Sequence, residues 1–451
     1  MNRTVPILAS TDVKVGGVPR IRDTVEILLD CKEKGQNLSN KRPPSIYMVP
    51  CSLRDLSPSS FKPRVVSIGP LHRDDKMLQD LEEHKTTYLH HLLDRLDPLG
   101  LSPRQIFNEC VHRVDASIRK IRACYVGMNP YTDAELAKMM VMDACFILEF
   151  LFPSEKHKNL VCGNVILINS IFHDLLLLEN QIPFFVLQAI FNCTLSKLQP
   201  TPLTSDVLAS LEFLLPFQVS INDAIGTDHD HILGLLQKSF HQSFHPPNLT
   251  TSTRPSLPEL CNHSVVELDK AGVKFKPNKD GNGQIAVEAM SSWFSCFCSF
   301  WGNPTLRMPV LYIYDNTELF LRNIIAYEQC TPDVPNYVTS YACAIDFLVD
   351  NTEDVVKLVE SKIIFNTLGS NEDATNMLNS ISNQVVFAEF YYLDQWKKLD
   401  QYYNGYWPKK IAQLKRTYFS SPWNIIALIA GIVLFILTIV QTIFTIEAAH
   451  S

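Results

Sequence analysis

One carboxylate lies inside an apolar stretch of the sequence, where a charged group needs a partner. Asp143 falls in the middle of the apolar face of MMVMDACFILEF when residues are placed about 100° apart, whereas Glu149 is predicted to point away from that face. A buried and unpaired carboxylate costs several kcal/mol, so Asp143 must accept hydrogen bonds, pair with a cation or be protonated. The pattern predicts a structural Asp that ties down a loop or an Arg, with a catalytic or ligand-binding role as the alternative.

Two further polar residues are expected to be buried. Asn180 follows the apolar run DLLLLE and precedes Pro183, a position where an amide most often caps backbone groups, and ligand binding is the alternative. Arg322 follows Glu318 by four residues on a helix predicted to begin at Thr317, which is the spacing of an ion pair along one helix face. The candidate buried polar residues are therefore Asp143, Asn180 and Arg322, and none of them is expected to be catalytic.

Short motifs for common cofactors are missing from the sequence. It contains no P-loop, GxGxxG, GxSxG, HExxH or kinase catalytic loop. Histidines between residues 226 and 263 lack zinc-binding spacing, and the loop NKDGNG at 278–283 has Ala289 where a calcium loop places a bidentate glutamate. We therefore expect no metal, no cofactor and no enzymatic activity, and an enzyme with a site assembled around buried Asp143 is the alternative.

Helical periodicity predicts the elements that position these residues. Apolar side chains recur at helical spacing over residues 78–96, and the run EEHK at 82–85 is predicted to lie largely on the opposite, solvated side. Thr132 and Glu135 form a capping box, so the helix that carries the candidate carboxylate should begin there and end near Leu151. Both helices are expected to bury one face against a common core.

The rest of the body is expected to mix helices with a few short strands. Residues 171–190 are apolar on all sides except at a polar corner, which predicts two core helices with Pro183 in the first turn of the second. A strand, a turn at 280–283 and a second strand are predicted in sequence, followed by a short strand over 306–314 and a helix over 355–364. The predicted fold class is α+β, with a predominantly α-helical globular body and one C-terminal transmembrane helix.

A long apolar run near the end of the sequence predicts that transmembrane helix. The 22 residues from 425 to 446 carry no charge and would form about 33 Å of helix, enough to cross a hydrocarbon core of about 30 Å. Lys415 and Arg416 precede the run and Trp423 lies at its start, as expected at a membrane interface. We expect residues 424–446 to bind the lipid bilayer, and a buried core helix is the alternative.

Charge and cysteine usage indicate the compartment of the body. The net charge of −7 is spread along the chain, so nucleic acid is not an expected partner. Basic residues precede the span and only Glu447 follows it among charged residues, which places the body in the cytoplasm by the positive-inside rule, on a secretory-pathway or plasma membrane. Twelve scattered cysteines fit a reducing compartment, and no signal peptide is expected. A lumenal or outer-face body is the alternative, which glycans on Asn192 or Asn248 would support.

Composition divides the chain into a lead-in, two lobes and an anchor. The segment rich in His, Pro, Ser and Thr after residue 225 suggests a linker or surface loop between the lobes. The aromatic residues over 391–423 suit a lipid headgroup interface and packing inside the body equally. The predicted boundaries are 1–44 for the lead-in, 45–225 and 263–420 for the lobes, 226–262 for the linker, 424–446 for the transmembrane helix and 447–451 for a short tail.

Eight stretches in the same order resemble a known family. They are IYMVP at 46, VSIGPLHRDD at 66, LEEHKTTYL at 81, MMVMDACFILEF at 139, DLLLLENQIPFF at 174, KAGVKF at 270, TELFLRNIIAYEQC at 317 and TSYACAIDFLVDN at 339. With the C-terminal span, they resemble the plant family called domain of unknown function 247. The resemblance implies a plant membrane protein without established enzymatic activity and provides no catalytic residues; some grass relatives are associated with pollen-side self-incompatibility.

The expected function is therefore recognition rather than catalysis. We expect a membrane-anchored protein-interaction or recognition module, with signalling or self-incompatibility-like recognition among its forms, whose working surface is the 226–262 segment and the helical faces beside it. The protein partner and the oligomeric state cannot be read from the residues. A deep pocket that contains Asp143 and a second titratable group would favour an enzyme, and a fully paired Asp143 would favour binding.

Overall fold

Helices make up most of the chain that the computed structural model describes. The chain divides into two compact units, Met1–Pro43 and Pro44–Ser451, and the architecture below is that of the second. The predicted class, a mainly helical α+β body with few short strands, is confirmed. The described residues are 28–29, 43–97, 100, 102–127, 131–154, 164–198, 201–217, 228–241, 263–278, 288–290, 304–386, 390–405 and 422–450.

In the residues that the structure describes, the N-terminal half of the second unit contains α-helices, 3-10 turns, irregular segments and an isolated β-bridge between Ile46 and Tyr125. Short 3-10 turns lie at Pro58–Ser60, Lys76–Leu78, Leu195–Lys197 and Glu212–Leu214. The α-helices, in chain order, are α1 Cys51–Arg54, α2 Gln79–Leu96, α3 Pro103–Asp115, α4 Ile118–Ala123, α5 Asp133–Leu151, α6 Val165–Asp174, α7 Phe184–Cys193, α8 Leu203–Leu211 and α9 Ile232–His241.

Helix α5 is the centre of this half. The predicted capping box at its start is confirmed, because Thr132 and Glu135 exchange side-chain and backbone hydrogen bonds, and the helix ends at Leu151 as predicted. It packs against α2, α3 and α7, so side chains all around it are buried. Such burial explains why the two buried carboxylates of α5, Asp143 and Glu149, each pair with a cation from α2.

Two charged residues that the sequence assigned to solvated faces are buried. Lys85 is 0% exposed on α2, because it lies one turn from Leu81 and two turns from Leu92 on the face that packs against α5. Glu149 is 0% exposed on α5, where Arg95 of α2 donates a hydrogen bond of 2.9 Å to it. The prediction for Lys85 was wrong because its neighbours Glu83 and His84 do lie on the exposed side of α2 while Lys85 itself lies on the packed side. The prediction for Glu149 was wrong because α5 is packed on several sides and has no free polar face there.

The corner between α6 and α7 is wider than predicted. Helix α6 begins at Val165, before the predicted start, and nine residues from 175 to 183 separate its end from α7. Pro183 is the N-cap of α7 rather than a residue of its first turn, and no side chain caps that helix. All nine corner residues are buried, so their backbone groups need partners inside the protein.

The C-terminal half combines helices with two small sheets. Its strands are β1 Lys274–Pro277, β2 Glu288–Met290, β3 Thr305–Met308, β4 Leu311–Ile313 and β5 Ile364–Asn366. Its helices are α10 Val265–Lys270, α11 Thr317–Cys330, α12 Tyr337–Asp346, α13 Thr352–Glu360, α14 Asn371–Ile381, α15 Leu393–Asn404 and α16 Pro422–His450.

The strand pairing differs from the predicted hairpin. In the three-stranded sheet, β3 lies between β1 and β2, parallel to β1 and antiparallel to β2, so the predicted strand pair is not adjacent. The predicted turn at 280–283 lies outside the described residues. The predicted strand over 306–314 is two strands, because Pro309 between them has no N–H to donate, and β4 pairs with β5 in a separate sheet.

Two helical segments also differ from their prediction. The helix predicted over 355–364 ends at Glu360, because Lys362 has a φ of 60° and the chain then enters β5. Within the predicted linker 226–262, residues 232–241 form α9, whose apolar side chains lie in the core. Residues 226–227 and 242–262 lie outside the described residues, and the division into two lobes stays a prediction.

Within the described part of the chain, α16 is the helix long and apolar enough to cross a membrane. Residues 429–446 have a mean hydropathy of 2.5 and are exposed along their whole length. Trp423, at the start of this helix, is 78% exposed, whereas Trp396 on α15 is 4% exposed and packs with Phe390. The aromatic residues over 391–423 were predicted either to lie at a lipid headgroup interface or to pack inside the body, and Trp396 packs inside the body. Lys415 and Arg416 lie outside the described residues.

Candidate functional site

A segment with little regular structure crosses the helices of the N-terminal half. We call residues 44–75 the strap; it contains α1, a 3-10 turn and otherwise irregular backbone. Its buried N–H and C=O groups have few ladder partners, so side chains from other elements must satisfy them. Five buried side chains do so, namely Lys85, Asp143, Asp174, Glu179 and Asn180. We call these five, together with the neighbouring buried Gln181, which binds carbonyl oxygens of the corner, the clasp.

Asp174, the last residue of α6, holds the middle of the strap. Its carboxylate accepts hydrogen bonds from the backbone N–H groups of Arg64 at 2.8 Å, Val65 at 2.8 Å and Val66 at 2.9 Å. Burial raises the pKa of Asp174 to about 6, although these three hydrogen bonds favour the ionised form. No signal in the sequence indicated this role, because Asp174 lies inside a stretch that the sequence predicts as a core helix.

Asn180 binds backbone groups of both the strap and α6. Its Oδ1 accepts a hydrogen bond of 2.7 Å from the N–H of Ile68, and its Nδ2 donates to the carbonyl oxygens of Val66 and Asp174 at 3.1 and 3.0 Å. The next residue, Gln181, donates to the carbonyl oxygens of the corner. Both amides therefore serve carbonyl groups at and after the end of α6 rather than the start of α7.

Asp143 and Lys85 form a fully buried ion pair beneath the strap. Lys85 Nζ lies 2.5 Å from Asp143 Oδ1 and donates a second hydrogen bond of 2.5 Å to the carbonyl oxygen of Ser67. Asp143 Oδ2 accepts a hydrogen bond of 2.8 Å from the N–H of Gly69. Asp143 and Lys85 are each 0% exposed, so solvent reaches neither group in this conformation.

A second ion pair, between Arg73 and Glu82, lies beside the first and nearer to the protein surface. Glu82 lies 2.6 Å from Lys85 Nζ and also pairs with Arg73, whose Nη1 is 3.9 Å from Asp143. Two cations therefore face two carboxylates, which lowers the electrostatic cost of burying the inner pair. Arg73 is 26% and Glu82 12% exposed, so the charges become accessible from the inside outward.

Gly69 lets the strap approach the corner closely. Its φ is +72°, and a Cβ placed there would lie 2.5 Å from the carbonyl oxygen of Gln181. Any side chain at this position would both strain the backbone and push the strap away from the helices. The hydroxyl of Tyr125 donates a hydrogen bond of 3.0 Å to the same carbonyl oxygen, which fixes the corner beneath the glycine.

Glu179 anchors the outer part of the strap. Its carboxylate accepts a hydrogen bond of 2.7 Å from the N–H of Val49 and contacts Arg54 at 2.5 Å and His72 Nε2 at 2.8 Å. Glu179 is 2% exposed, whereas the Arg54 and His72 side chains are 31% and 12% exposed. This cluster joins the two ends of the strap to one buried carboxylate.

Arg322 lies apart from the clasp. It pairs with Glu318 at 2.8 Å, which confirms the predicted spacing along the helix, and donates to Ser380 of α14. The neighbouring Asn323 makes the longer connection, because it accepts from the N–H of Leu178 at 2.9 Å and donates to the carbonyl oxygen of Ser60 at 2.6 Å. Asn323 thus links α11 to the corner and the strap, a role that the sequence did not indicate.

A further buried carboxylate lies between α9, α11 and α12. Glu328 accepts hydrogen bonds from the N–H groups of Val338 at 3.1 Å and Thr339 at 2.7 Å, from the Thr339 hydroxyl at 2.6 Å and from Gln237 at 3.0 Å. It therefore serves the unpaired N–H groups in the first turn of α12. Burial raises its pKa to about 7.

The polar groups of the clasp have a structural role, because they bind the strap to the helices beneath it. Its carboxylates are occupied by backbone N–H groups or cations, and its inner pair is closed to solvent in the described conformation. Among the described residues, no group of three or more His, Cys, Asp or Glu side chains could hold a metal ion. A shallow cleft of about 320 Å³ lies elsewhere, between α10 and α13, and contains residues such as Asp269 and Lys357. The clasp can therefore position the strap, and a substrate would require its opening.

Sequence reasoning identified two of the six clasp residues, Asp143 and Asn180, as buried candidates. Lys85 could have been found, because it recurs at helical spacing among the apolar residues of α2. Nothing local marks the strap as the partner of these side chains, since the contacts join residues 18 to 130 positions apart.

Comparisons with known proteins identify a plant family and similar proteins of Arabidopsis thaliana. The family DUF247, described as a plant protein of unknown function, matches residues 46–437. UPF0481 protein At3g47200 of Arabidopsis thaliana is 29% identical over 434 residues, covering 88% of this chain and 85% of that protein. Putative UPF0481 protein At3g02645 of Arabidopsis thaliana is 26% identical over 533 residues, covering 97% of this chain and 96% of that protein. No solved structure matches the chain significantly.

Proposed function

The chain belongs to the plant protein family of unknown function DUF247, which matches residues 46–437, and from this premise we propose that it is a membrane-anchored protein-interaction module. In this proposal, α16 inserts in a bilayer, and the helical body presents its surface to a protein partner. The strap and clasp hold that body in one conformation. Tethering would raise the effective concentration of the body for partners at the same membrane.

The observation that carries the proposal is the exposed apolar surface of α16. Residues 429–446 have a mean hydropathy of 2.5, and no part of this window is buried by the rest of the chain. A water-soluble protein rarely leaves so much contiguous apolar surface exposed, because each Å² costs about 25 cal/mol in water. Insertion in a bilayer removes that cost and satisfies the helix backbone internally.

An exposed apolar surface on the body supports interaction rather than catalysis. Val165 and Ile166 on α6 are 76% and 81% exposed, and Phe213 is 60% exposed. Phe172 lies two helical turns after Val165, on the same side of α6, and its ring centroid is 5.0 Å from that of Phe213. Clustered apolar side chains of this kind are typical of protein interfaces. A partner protein with a complementary apolar surface would bury them.

Membrane fractionation with an alkaline carbonate wash tests the anchor. We expect the full-length protein to stay in the membrane pellet and a variant that lacks residues 422–451 to leave it. A full-length protein released by carbonate would contradict the anchor. Retention of the truncated variant would show that some other part of the chain holds the membrane.

Proximity labelling from the full-length protein, followed by binding of each labelled candidate in purified form, tests the interaction. The informative variant is Val165→Asp combined with Phe213→Ser, and the matched control is Val386→Asp, at a position 69% exposed on the C-terminal half. We expect the double variant to weaken binding at least about tenfold, the effect of losing one well-buried apolar contact, while the control binds normally. Equal binding by all three proteins would contradict the proposed surface.

A further inference from the structure

Helix α16 carries a side-chain amide that needs a partner inside a bilayer. Gln441 is exposed, and within the described part of the chain its amide makes no hydrogen bond. It lies five residues before Ile446, so about 7.5 Å of helix separates it from the end of the uncharged run. Lipid tails offer neither donors nor acceptors, so an amide at that depth is unfavourable unless another protein group binds it.

The threonine hydroxyls around Gln441 already have partners within the helix. Thr438, Thr442 and Thr445 each donate a hydrogen bond to the carbonyl oxygen four residues earlier, at 2.8, 2.7 and 2.7 Å. A glutamine side chain has two N–H donors and a carbonyl oxygen, and those of Gln441 have no such partner. In residues 429–446, the side chain that still needs hydrogen bonds is therefore Gln441.

Gln441 is part of a heptad pattern of mostly small and polar residues. Alternating steps of four and three residues separate six positions, which we call the seam: Ala427, Gly431, Leu434, Thr438, Gln441 and Thr445. At about 100° per residue they lie within about 80° of one another on α16, and all six are exposed. The opposite face of the helix carries isoleucine, valine and phenylalanine side chains. The seam therefore differs in chemistry from the face that suits lipid tails.

The spacing of the seam determines how a second helix would pack against it. A repeat of 3.5 residues keeps two helices in contact when they wind around each other in a left-handed supercoil. From Ala427 to Thr445, that contact would extend about 27 Å at about 1.5 Å per residue. Gly431 has no side chain, and no atom in the described part of the chain lies within 4 Å of the place of a Cβ, so another backbone can approach closely there.

The hydrogen-bonding groups of Gln441 fit a second copy of this chain. Copies in one membrane insert in the same direction, so two α16 helices would be parallel, and a two-fold axis would place equal residues at equal depth. The amide of Gln441 contains both donors and an acceptor, so each copy can donate from Nε2 to Oε1 of the other. An entirely apolar helix from another protein would leave the amide unpaired.

We propose that α16 forms a parallel, left-handed homodimer with α16 of a second copy, packed through the seam and fixed in register by the pair of Gln441 amides. The inference rests on the membrane anchor proposed above. A polar residue at one seam position fixes the register of coiled coils in the same way, because any other alignment leaves it unpaired. The dimer would hold two bodies on one side of the membrane, so a partner with two binding sites would bind more tightly than to a single copy.

The test is energy transfer between full-length copies in phosphatidylcholine vesicles. Copies that carry a donor or an acceptor fluorophore at the N-terminus are reconstituted together, and the protein-to-lipid ratio is lowered stepwise. We expect energy transfer that falls on dilution as a monomer–dimer equilibrium requires. Gln441→Leu should raise the apparent dissociation constant about tenfold, the effect of losing hydrogen bonds between helices in a membrane. Gly431→Leu should also reduce the energy transfer, because the added side chain separates the two backbones.

Val440→Leu is the matched control, because Val440 lies on the face opposite the seam, and it should leave the dissociation constant unchanged. All three replacements introduce leucine, so none should weaken insertion in the bilayer. A carbonate wash of the same vesicles separates this proposal from the anchor. Protein that resists carbonate but stays monomeric at every ratio, or a Gln441→Leu variant that associates as tightly as the unchanged protein, would overturn the homodimer alone. Release of the unchanged protein by carbonate would overturn the anchor, and the homodimer with it.

Discussion

The buried pair at residues 85 and 143 shows why a charge can be both costly and necessary. Desolvating an ion pair offsets most of its Coulomb attraction, so the pair itself contributes little net stability. Removing one partner leaves the other charged, buried and incompletely paired. The two hydrogen bonds that Asp143 and Lys85 make to the strap then lose their geometry as well.

Lys85→Met should destabilise the protein by about 3–5 kcal/mol, because Asp143 keeps its desolvation cost and loses its closest cation. The measurement is the free energy of unfolding of the purified full-length protein. Lys62→Met is the matched control, since Lys62 pairs with Asp75 while its side chain is 61% exposed; it should cost less than about 1 kcal/mol.

Lys85→Met combined with Asp143→Leu separates the contribution of the ion pair from the cost of leaving one buried charge unpaired. This double variant removes both charges, so it should recover more than half of the stability lost in Lys85→Met. If Lys85→Met costs no more than the Lys62 control, the clasp does not hold the strap in the way described.

Glu328 should give the protein a distinct pH dependence. Burial raises its pKa to about 7 from 4.5, so its contribution to stability is complete below about pH 4.5 and is lost as the pH rises to about 7. That shift corresponds to about 3 kcal/mol. His231 has the opposite effect: burial lowers its pKa to about 4, and its contribution is lost as the pH falls below about 6.5.

Glu328→Gln isolates the first effect from the second. Between pH 5 and pH 8, the unchanged protein should lose about 3 kcal/mol of stability relative to this variant, measured as the difference in free energy of unfolding at each pH. Glu372→Gln, at an exposed position on α14, should show no such change. A constant difference between the unchanged protein and Glu328→Gln would mean that Glu328 stays ionised throughout.

For single residues, the sequence predicts that a buried polar side chain needs a partner. It does not identify that partner, because the partner lies far away along the chain. Asp143 was recognisable because it interrupts an apolar helix face, and Asn180 because it ends an apolar run. Their partners at residues 64–69 look like an ordinary irregular segment. Lys85 was misplaced because a lysine among apolar positions resembles a solvated residue until a buried carboxylate is found opposite it.

Among the elements, the strap depends on side chains because it has almost no backbone ladder of its own. Three consecutive N–H groups converge on Asp174, so a single carboxylate determines whether this stretch stays attached. Hydrogen bonds to a charged group contribute about 1.5–3 kcal/mol each. The strap should therefore open locally, before the helices beneath it unfold.

Asp174→Asn should release the strap while the helices stay folded, because the amide provides only one acceptor oxygen for three donors. Hydrogen exchange followed by mass spectrometry should show amides of residues 64–66 exchanging at least about tenfold faster, with α5 and α7 unchanged. Asp75→Asn is the control, since Asp75 accepts from Met77 at an exposed position outside the clasp. Faster exchange across α5 as well would show that strap and core unfold together.

Helices were predicted better than strands, for a physical reason visible in particular elements. The capping box at Thr132 and the start of α11 at Thr317 follow from local rules and were placed correctly. Strands β1 to β5 have three or four residues each, too few to show alternation, and β3 pairs with strands on both sides. Pairing between strands that are far apart in the sequence depends on how they pack in the core rather than on local sequence.

For the whole molecule, hydropathy predicted α16, because a helix long and apolar enough to cross a membrane is the one element that composition alone can define. Its orientation is a different matter, since it depends on basic residues before the helix, and Lys415 and Arg416 lie outside the described residues. The body provides an independent indication. Every described cysteine is a free thiol, and a lumenal body would place these thiols in an oxidising compartment.

Protease protection in sealed microsomes therefore tests orientation, with a glycosidase digest and thiol alkylation of the same sample. We expect the body to be digested from outside, to carry no glycan on Asn192 and to have alkylatable thiols at its cysteines. Permeabilised microsomes are the control, since protease must then reach any body. A body that is protected, loses mass on deglycosylation and contains disulfides would lie in the lumen. Recognition would then take place on the outer face of the membrane.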